Sequence, residues 1–108
     1  MSVSDEFSTY ILELLEPLGS IQTTRMFGGV LLKVNGKQLG ILIEETVYFK
    51  VTDRVLQKRY TEEGSKQFTY TRKDKQDPVV IQNWWSVPES ALDAPDEMVR
   101  LAEEVLEQ

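Results

Sequence analysis

Acidic side chains are the groups in this chain that could most readily take part in acid–base chemistry. The 108 residues contain 18 Asp and Glu against 12 Lys and Arg, with no His and no Cys. A glycosidase-like mechanism needs two carboxylates in one cleft, but Glu44 and Glu45 fall in an expected exposed turn, and Glu103 and Glu107 on an expected solvent-facing helix surface. Without histidine, hydroxyls such as Ser86 lack the usual activating base, and the common zinc sites are excluded. The sequence therefore favours a non-catalytic protein without metal or cofactor.

The pair Gly28-Gly29, preceded by Arg25, Met26 and Phe27, is a second candidate for chemistry. Glycine-rich loops can bind phosphate, but their glycines lead into the N-terminus of a helix. Here the following residues alternate as in a strand. We therefore interpret the glycines as a strand start or bulge that pivots the chain from the first helix into the sheet, with Met26 and Phe27 in the core. Two roles are open for Arg25: an internal ion pair, or contact with a partner's carboxylate or phosphate.

Positive charge is concentrated in the middle of the chain, although the net charge is −6. Residues 50–75 carry eight basic and four acidic residues, whereas residues 1–20 carry four acidic and no basic residues. Because Lys and Arg make the phosphate contacts of nucleic-acid-binding proteins, this segment is a candidate nucleic-acid patch, formed by Arg54, Lys58, Arg59, Arg72, Lys73 and Lys75. The alternatives are that these charges face solvent, or that they balance the acidic terminal helices within the fold or across a dimer.

Trp84 and Trp85 form the candidate surface for a protein partner. Adjacent residues of a strand point to opposite faces, so one indole can enter the core while the other faces a helix or solvent. An exposed indole would anchor a partner or stack on a base. The alternative is that the flanking helices cover both.

The first half of the chain predicts one helix followed by a meander of three strands. Apolar residues recur at helical spacing between Ser4 and about Glu16, with Ser2 or Ser4 as the cap and Pro17 as the stop. Alternating apolar residues and the turn pair 35–36 then predict antiparallel strands at 28–34, 39–43 and 47–51.

The second half predicts a helix, two strands and a final helix. Thr52 or Asp53 caps a helix whose Val55, Leu56 and Tyr60 are expected to face inward. Strands at 67–71 and 78–85 flank a polar loop, and a short helical turn follows them. The last helix begins near residue 93 and carries an apolar stripe formed by Met98, Leu101, Ala102 and Val105. The predicted order is α-β-β-β-α-β-β-α, an α+β fold with five strands.

This order resembles the N-terminal domain of the TfoX/Sxy family, bacterial regulators of natural competence. The resemblance covers about residues 5–106, and we expect residues 1–108 to form a single domain. Five stretches of sequence carry the resemblance. They are Arg25-Met26-Phe27-Gly28-Gly29, Asn35-Gly36 followed by Leu39-Gly40-Ile41-Leu42-Ile43, Val47-Tyr48-Phe49-Lys50-Val51, Phe68-Thr69-Tyr70 and Trp84-Trp85-Ser86-Val87-Pro88-Glu89. It implies a curved antiparallel sheet flanked by helices, resembling the type III secretion chaperones. Full-length regulators have an additional C-terminal helical domain that these residues do not match. The resemblance therefore implies the family's role in competence regulation only in part.

The residues and the resemblance together predict a protein-interaction module related to regulators of competence gene transcription. The identity of the protein partner is left open, with the transcription machinery as one candidate. Direct nucleic-acid binding through residues 50–75 is the alternative, and homodimer formation is a third hypothesis. No apolar run approaches the roughly 18 residues of a membrane span, and the N-terminus lacks the features of a signal peptide. We therefore expect a cytoplasmic protein that does not bind membranes.

Overall fold

An open antiparallel sheet of six strands, covered on one face by helices, organises the residues that the structure describes. The structure is a computed structural model, and it describes residues 4–26, 28–70 and 79–108. The elements, in chain order, are α1 (Asp5–Leu14), a 3₁₀ turn (Glu16–Leu18), β1 (Ile21–Met26), β2 (Gly29–Val34), β3 (Lys37–Ile43), β4 (Thr46–Lys50), α2 (Arg54–Glu62), β5 (Gln67–Tyr70), β6 (Val79–Ser86), α3 (Glu89–Leu92) and α4 (Pro95–Leu106). The α+β prediction is confirmed.

The number of strands is the main correction to the predicted fold. The sheet has six strands in the order β1-β2-β3-β4-β6-β5, not five. The missed strand is β1, which pairs with β2 along its whole length, from Ile21 opposite Val34 to Met26 opposite Gly29. Its central residues are polar and exposed, so an edge strand without an apolar alternation gave no periodic signal.

The two glycines lie in the hairpin between β1 and β2, so the prediction that they pivot the chain from the first helix is wrong. Gly28 has a φ of 76° and belongs to the turn rather than to the strand. Gly29 begins β2, and a Cβ atom there would lie 2.2 Å from the carbonyl oxygen of Leu42 on β3. One glycine therefore makes the turn, and the other permits two strands to approach closely. The expectation that Met26 and Phe27 enter the core concerns side chains outside the described set.

The main core lies between the helices and one face of the sheet. Ile11 of α1, Leu32 of β2, Phe49 of β4 and Tyr60 of α2 are all at most 1% exposed. The predicted stripe of α4 is confirmed, since all four of its members are buried in this core: Met98, Leu101, Ala102 and Val105. The opposite face of the sheet carries a smaller buried cluster formed by Leu31, Ile41, Ile43, Phe68 and Trp84.

Helix α2 differs in one residue from its prediction. The side chain of Asp53 caps it by accepting a hydrogen bond from the backbone N–H of Leu56 at 3.1 Å. Leu56 and Tyr60, four residues apart, are buried as predicted. Val55 is 68% exposed, so its predicted inward position is wrong, because adjacent residues of a helix point about 100° apart.

The ends of the two last strands adjoin a segment outside the described residues. The predicted polar loop at 72–77 and Pro78 lie in that segment. Within the described ranges, no helix has the length and apolar character needed to cross a membrane.

Candidate functional site

A polar cleft of about 640 Å³ lies where the turn between β3 and β4, the segment after α2 and the connection from β6 to α3 meet. Its charged lining residues are Glu45, Glu63, Lys66 and Glu89. Its hydroxyl-bearing lining residues are Thr46, Ser65, Ser86 and Ser90. The volume falls within the range of ligand pockets, and the lining carries more negative than positive charge.

The β3–β4 turn places the first acidic residue on the cleft. Ile43 pairs with Thr46, so Glu44 and Glu45 form a two-residue turn, with φ values of 48° and 63°. Both residues are exposed, which confirms the predicted exposed turn. The Glu45 carboxylate accepts a hydrogen bond from the backbone N–H of Ser4 at 3.1 Å, which ties the turn to the cap of α1.

Backbone hydrogen bonds hold the second wall of the cleft, which follows α2. The N–H of Ser65 donates to the carbonyl of Tyr60 at 2.9 Å. The N–H of Lys66 donates to Ser86 Oγ, and the N–H of Ser86 donates to the carbonyl of Lys66, both at 2.9 Å. This reciprocal pair fixes the 63–66 segment against the end of β6, so Glu63 and Lys66 are presented from a rigid support.

The cleft carboxylates differ from those on α4 in their ion pairing. On α4, Glu97 and Glu104 both pair with Arg100, and Glu104 also pairs with Arg59. Among residues 4–26, 28–70 and 79–108, no ion pair includes Glu45, Glu63, Glu89 or Lys66. Glu63 still interacts electrostatically with Arg59, whereas Glu45 and Glu89 keep negative charges without an ion pair to a described residue.

Three buried polar atoms have no hydrogen-bond partner among the described residues: Ser65 Oγ, Tyr60 Oη and Trp85 Nε1. Ser65 lies in the cleft wall and is only 8% exposed. Since buried polar atoms are nearly always hydrogen-bonded, Ser65 Oγ is an unsatisfied acceptor in the cleft wall. Burial also raises the pKa of the Tyr60 phenol well above its ordinary value of 10, with a smaller contribution from Glu104.

No three acidic side chains in the described part of the chain are arranged to hold a metal ion. The three cleft glutamates thus do not form such a group.

The predicted basic patch is only partly available on the surface. Arg59 donates two hydrogen bonds to the Glu104 carboxylate, at 3.0 and 2.8 Å, and these bonds raise the pKa of its guanidinium. The alternative that basic residues balance an acidic terminal helix is thus confirmed for Arg59. Arg54 and Lys58 are exposed on α2. The remaining members lie outside the described residues: Arg72, Lys73 and Lys75.

Neither tryptophan offers the exposed anchor that the partner-surface hypothesis needs. Trp84 is 9% exposed and belongs to the smaller cluster, whereas Trp85 is half-buried and packs against the main core. The expected alternation is therefore observed, with one indole on each face of the sheet. Trp84 is buried on the face away from the helices and Trp85 is partly buried on the helix-covered face, so the structure does not show the alternative in which the helices cover both.

Arg25 lies on β1, exposed, next to the β1–β2 turn. No ion pair joins it to another described residue. Gly28 and Gly29 have the structural roles given above, and neither they nor Arg25 line the cleft.

Sequence reasoning did not assign Glu63, Lys66 or Glu89 to a site. These residues are 26 positions apart at most, and they meet because β5 and β6 return the chain beside α2. One available signal was the run Ser86-Val87-Pro88-Glu89, whose four residues all line the cleft. This connection between a strand and a short helix could have drawn attention to this end of the sheet.

Comparison with known proteins gives a family. No curated protein matches the chain. The family model of the TfoX N-terminal domain matches residues 13–108, which include all the strands and the cleft. This chain therefore belongs to the TfoX N-terminal domain family.

Proposed function

We propose that this chain is a non-catalytic protein-interaction module, related to regulators of competence gene transcription, and that the cleft is its contact surface. The observation that carries the proposal is the set of three glutamates that meet in the cleft from three separate segments, without ion-pair partners among the described residues. Unpaired charges around a concave surface favour recognition, because complementary charges set both the specificity and the rate of association.

A binding role fits the groups present better than catalysis does. The chain has no His and no Cys, which are the usual bases and nucleophiles at neutral pH. The cleft hydroxyls have Lys66 as the one basic side chain in the lining, and its backbone, rather than its ammonium group, bonds to Ser86. Membership of the TfoX N-terminal domain family supports a regulatory role.

Direct nucleic-acid binding is the second candidate function. The observation in its favour is that Arg54 and Lys58, four residues apart on α2, are both exposed and lie on one helix face. Against it, the guanidinium of Arg59 is already bound by Glu104. Among the described members of the predicted patch two cations are thus available, and two cations give few phosphate contacts, so we place this function second.

Quantitative cross-linking in an extract of the source cells tests the proposed function. The full chain carries an affinity tag, and the wild type is compared with the double variant Glu63→Gln, Glu89→Gln. The matched control is Glu103→Gln, Glu107→Gln, which removes the same charge from exposed positions on and just after α4.

We expect the cleft variant to lose cross-links to its protein partners while the control variant keeps them. Partners that cross-link equally to all three proteins, or a wild type that captures no protein specifically, would contradict the proposal. Circular dichroism of each variant confirms that the fold is intact before the comparison is made.

A further inference from the structure

We propose that the cleft binds a cationic side chain, arginine or lysine, carried by a segment of the partner protein. This inference rests on the proposed function and names the chemistry of the partner. Its first support is charge, since the described lining residues hold three carboxylates and one ammonium group. An anionic segment would meet like charges there, whereas a cationic one meets complementary charges.

The chain itself shows how its carboxylates are satisfied elsewhere. Glu104 receives two hydrogen bonds from Arg59, and Glu97 receives two from Arg100. Within the described residues, the cleft glutamates have no such cation. A guanidinium or ammonium group from outside would supply the same kind of bond that the fold supplies on α4.

The hydroxyl groups of the cleft provide the second support. Guanidinium and ammonium groups are donors only, and Thr46, Ser65 and Ser90 offer oxygen acceptors beside the carboxylates. Ser65 Oγ is buried in the wall and unpartnered among the described residues. This oxygen is enclosed in the wall, so a donor that reached it on binding would satisfy it and offset part of the cost of removing the cation from water.

The volume of the cleft favours an organic cation over a metal ion. A cavity of about 640 Å³ accommodates a long side chain with its flanking backbone. No described acidic triad is arranged for metal coordination. The fixed hydrogen bonds between Lys66 and Ser86 also keep one wall in place, so that little ordering is needed on binding.

Nuclear magnetic resonance titration of the full ¹⁵N-labelled chain tests this inference. The probe is the blocked tripeptide acetyl-Gly-Arg-Gly-amide, with acetyl-Gly-Glu-Gly-amide as its charge control. We expect the arginine peptide to shift amide signals of residues 63–66 and 86–90, and the glutamate peptide to leave them unchanged.

Substitutions in the cleft then change the affinity in opposite directions. Glu63→Gln and Glu89→Gln are each expected to weaken binding of the arginine peptide by about 3-fold, and Lys66→Gln to strengthen it by a similar factor, on the order of one partly exposed charge pair. The double variant Glu103→Gln, Glu107→Gln carries the matched charge change outside the cleft and is expected to bind as the wild type does.

Two results would overturn the inference. One is an absence of shifts at residues 63–66 and 86–90 with the arginine peptide. The other is equal weakening by the cleft and control substitutions, which would indicate general attraction to an acidic surface. Either result leaves the proposed function standing if cross-linking still maps protein partners to the cleft, so the two failures can be told apart.

Discussion

The cleft and the outer face of α2 are both charged, but their charged side chains differ in ion pairing. On α2, Arg59 is held by two hydrogen bonds to Glu104. In the cleft, Glu63 and Glu89 have no ion pair within the described part of the chain. The sequence draws attention to the basic segment, whereas the structure shows one of its cations bound and three cleft glutamates without an ion pair among the described residues. Charge density along a chain therefore does not indicate which charges are available to a partner.

Both surfaces depend on the same support, which is the buried side of α2 and the end of β6. Leu56 and Tyr60 fix α2 to the main core, and Trp85 packs against that core one residue before Ser86 enters the cleft wall. Changes in this support act on stability, whereas changes in the exposed charges act on binding. The predictions below separate the two kinds of effect.

Replacing Trp85 with alanine is the change expected to have the largest effect. Because Trp85 packs against the main core, we expect Trp85→Ala to lower the free energy of unfolding by about 3 kcal/mol. Urea denaturation followed by circular dichroism measures this loss. A change below about 1 kcal/mol together with lost partner binding would instead identify Trp85 as a partner anchor. It would contradict the assignment of Trp85 to the structural support rather than to a binding surface.

Removing the hydroxyl of Tyr60 tests whether this buried group lowers the stability of the shared support. Its Oη is buried without a hydrogen-bond partner among the described residues, so we expect Tyr60→Phe to raise the free energy of unfolding by about 1 kcal/mol at pH 7. A loss of stability in urea denaturation would show that this hydroxyl has a partner in solution, such as a buried water.

The same variant makes a prediction about alkaline pH. Burial raises the pKa of Tyr60 above its ordinary value of 10, so the unfolded state releases this proton first as the pH rises. Stability from this group is complete below pH 10 and falls above it, by about 1.4 kcal/mol for one pH unit. The advantage of Tyr60→Phe over the wild type is expected to grow between pH 10 and pH 11, and a constant difference would contradict the raised pKa.

Breaking the pair on α2 is expected to have the smallest effect. Arg59 and Glu104 are 44% and 27% exposed, and exposed ion pairs contribute about 0.5 to 1 kcal/mol even in good geometry. We expect Arg59→Gln to destabilise the protein by about this amount in low salt, and less in 1 M NaCl. Arg54→Gln is the control, since no ion pair joins Arg54 to a described residue. Equal losses of stability from the two substitutions would contradict the distinction between a bound Arg59 and an available Arg54.

Periodic elements of the fold could be predicted because their apolar residues repeat. Helix α1, with Ser4 as its cap, the strands after Asn35-Gly36 and the buried stripe of α4 all follow from spacing and turn chemistry. Val55 shows the limit of such reasoning, since a short helix with few apolar residues does not indicate which of two adjacent positions faces inward. The likeness to type III secretion chaperones and the homodimer stay predictions.

Features that depend on distant contacts could not be predicted. Strand β1 pairs with β2 through its backbone, so its exposed Gln22, Thr23 and Thr24 carry no apolar signal. The cleft joins a β-turn, the segment after α2 and the start of α3, and only the sheet order brings them together. The pairing of Arg59 with Glu104 spans 45 residues and is likewise a product of tertiary packing.

A side-by-side titration of the ¹⁵N-labelled chain tests most directly whether the cleft, rather than the basic face of α2, is the contact surface. One sample receives acetyl-Gly-Arg-Gly-amide and the other a short DNA duplex, both at low salt. The account predicts shifts at residues 63–66 and 86–90 with the peptide, and no more than weak shifts at Arg54 and Lys58 with the duplex. Saturable shifts on α2 with the duplex, and none in the cleft with the peptide, would contradict it.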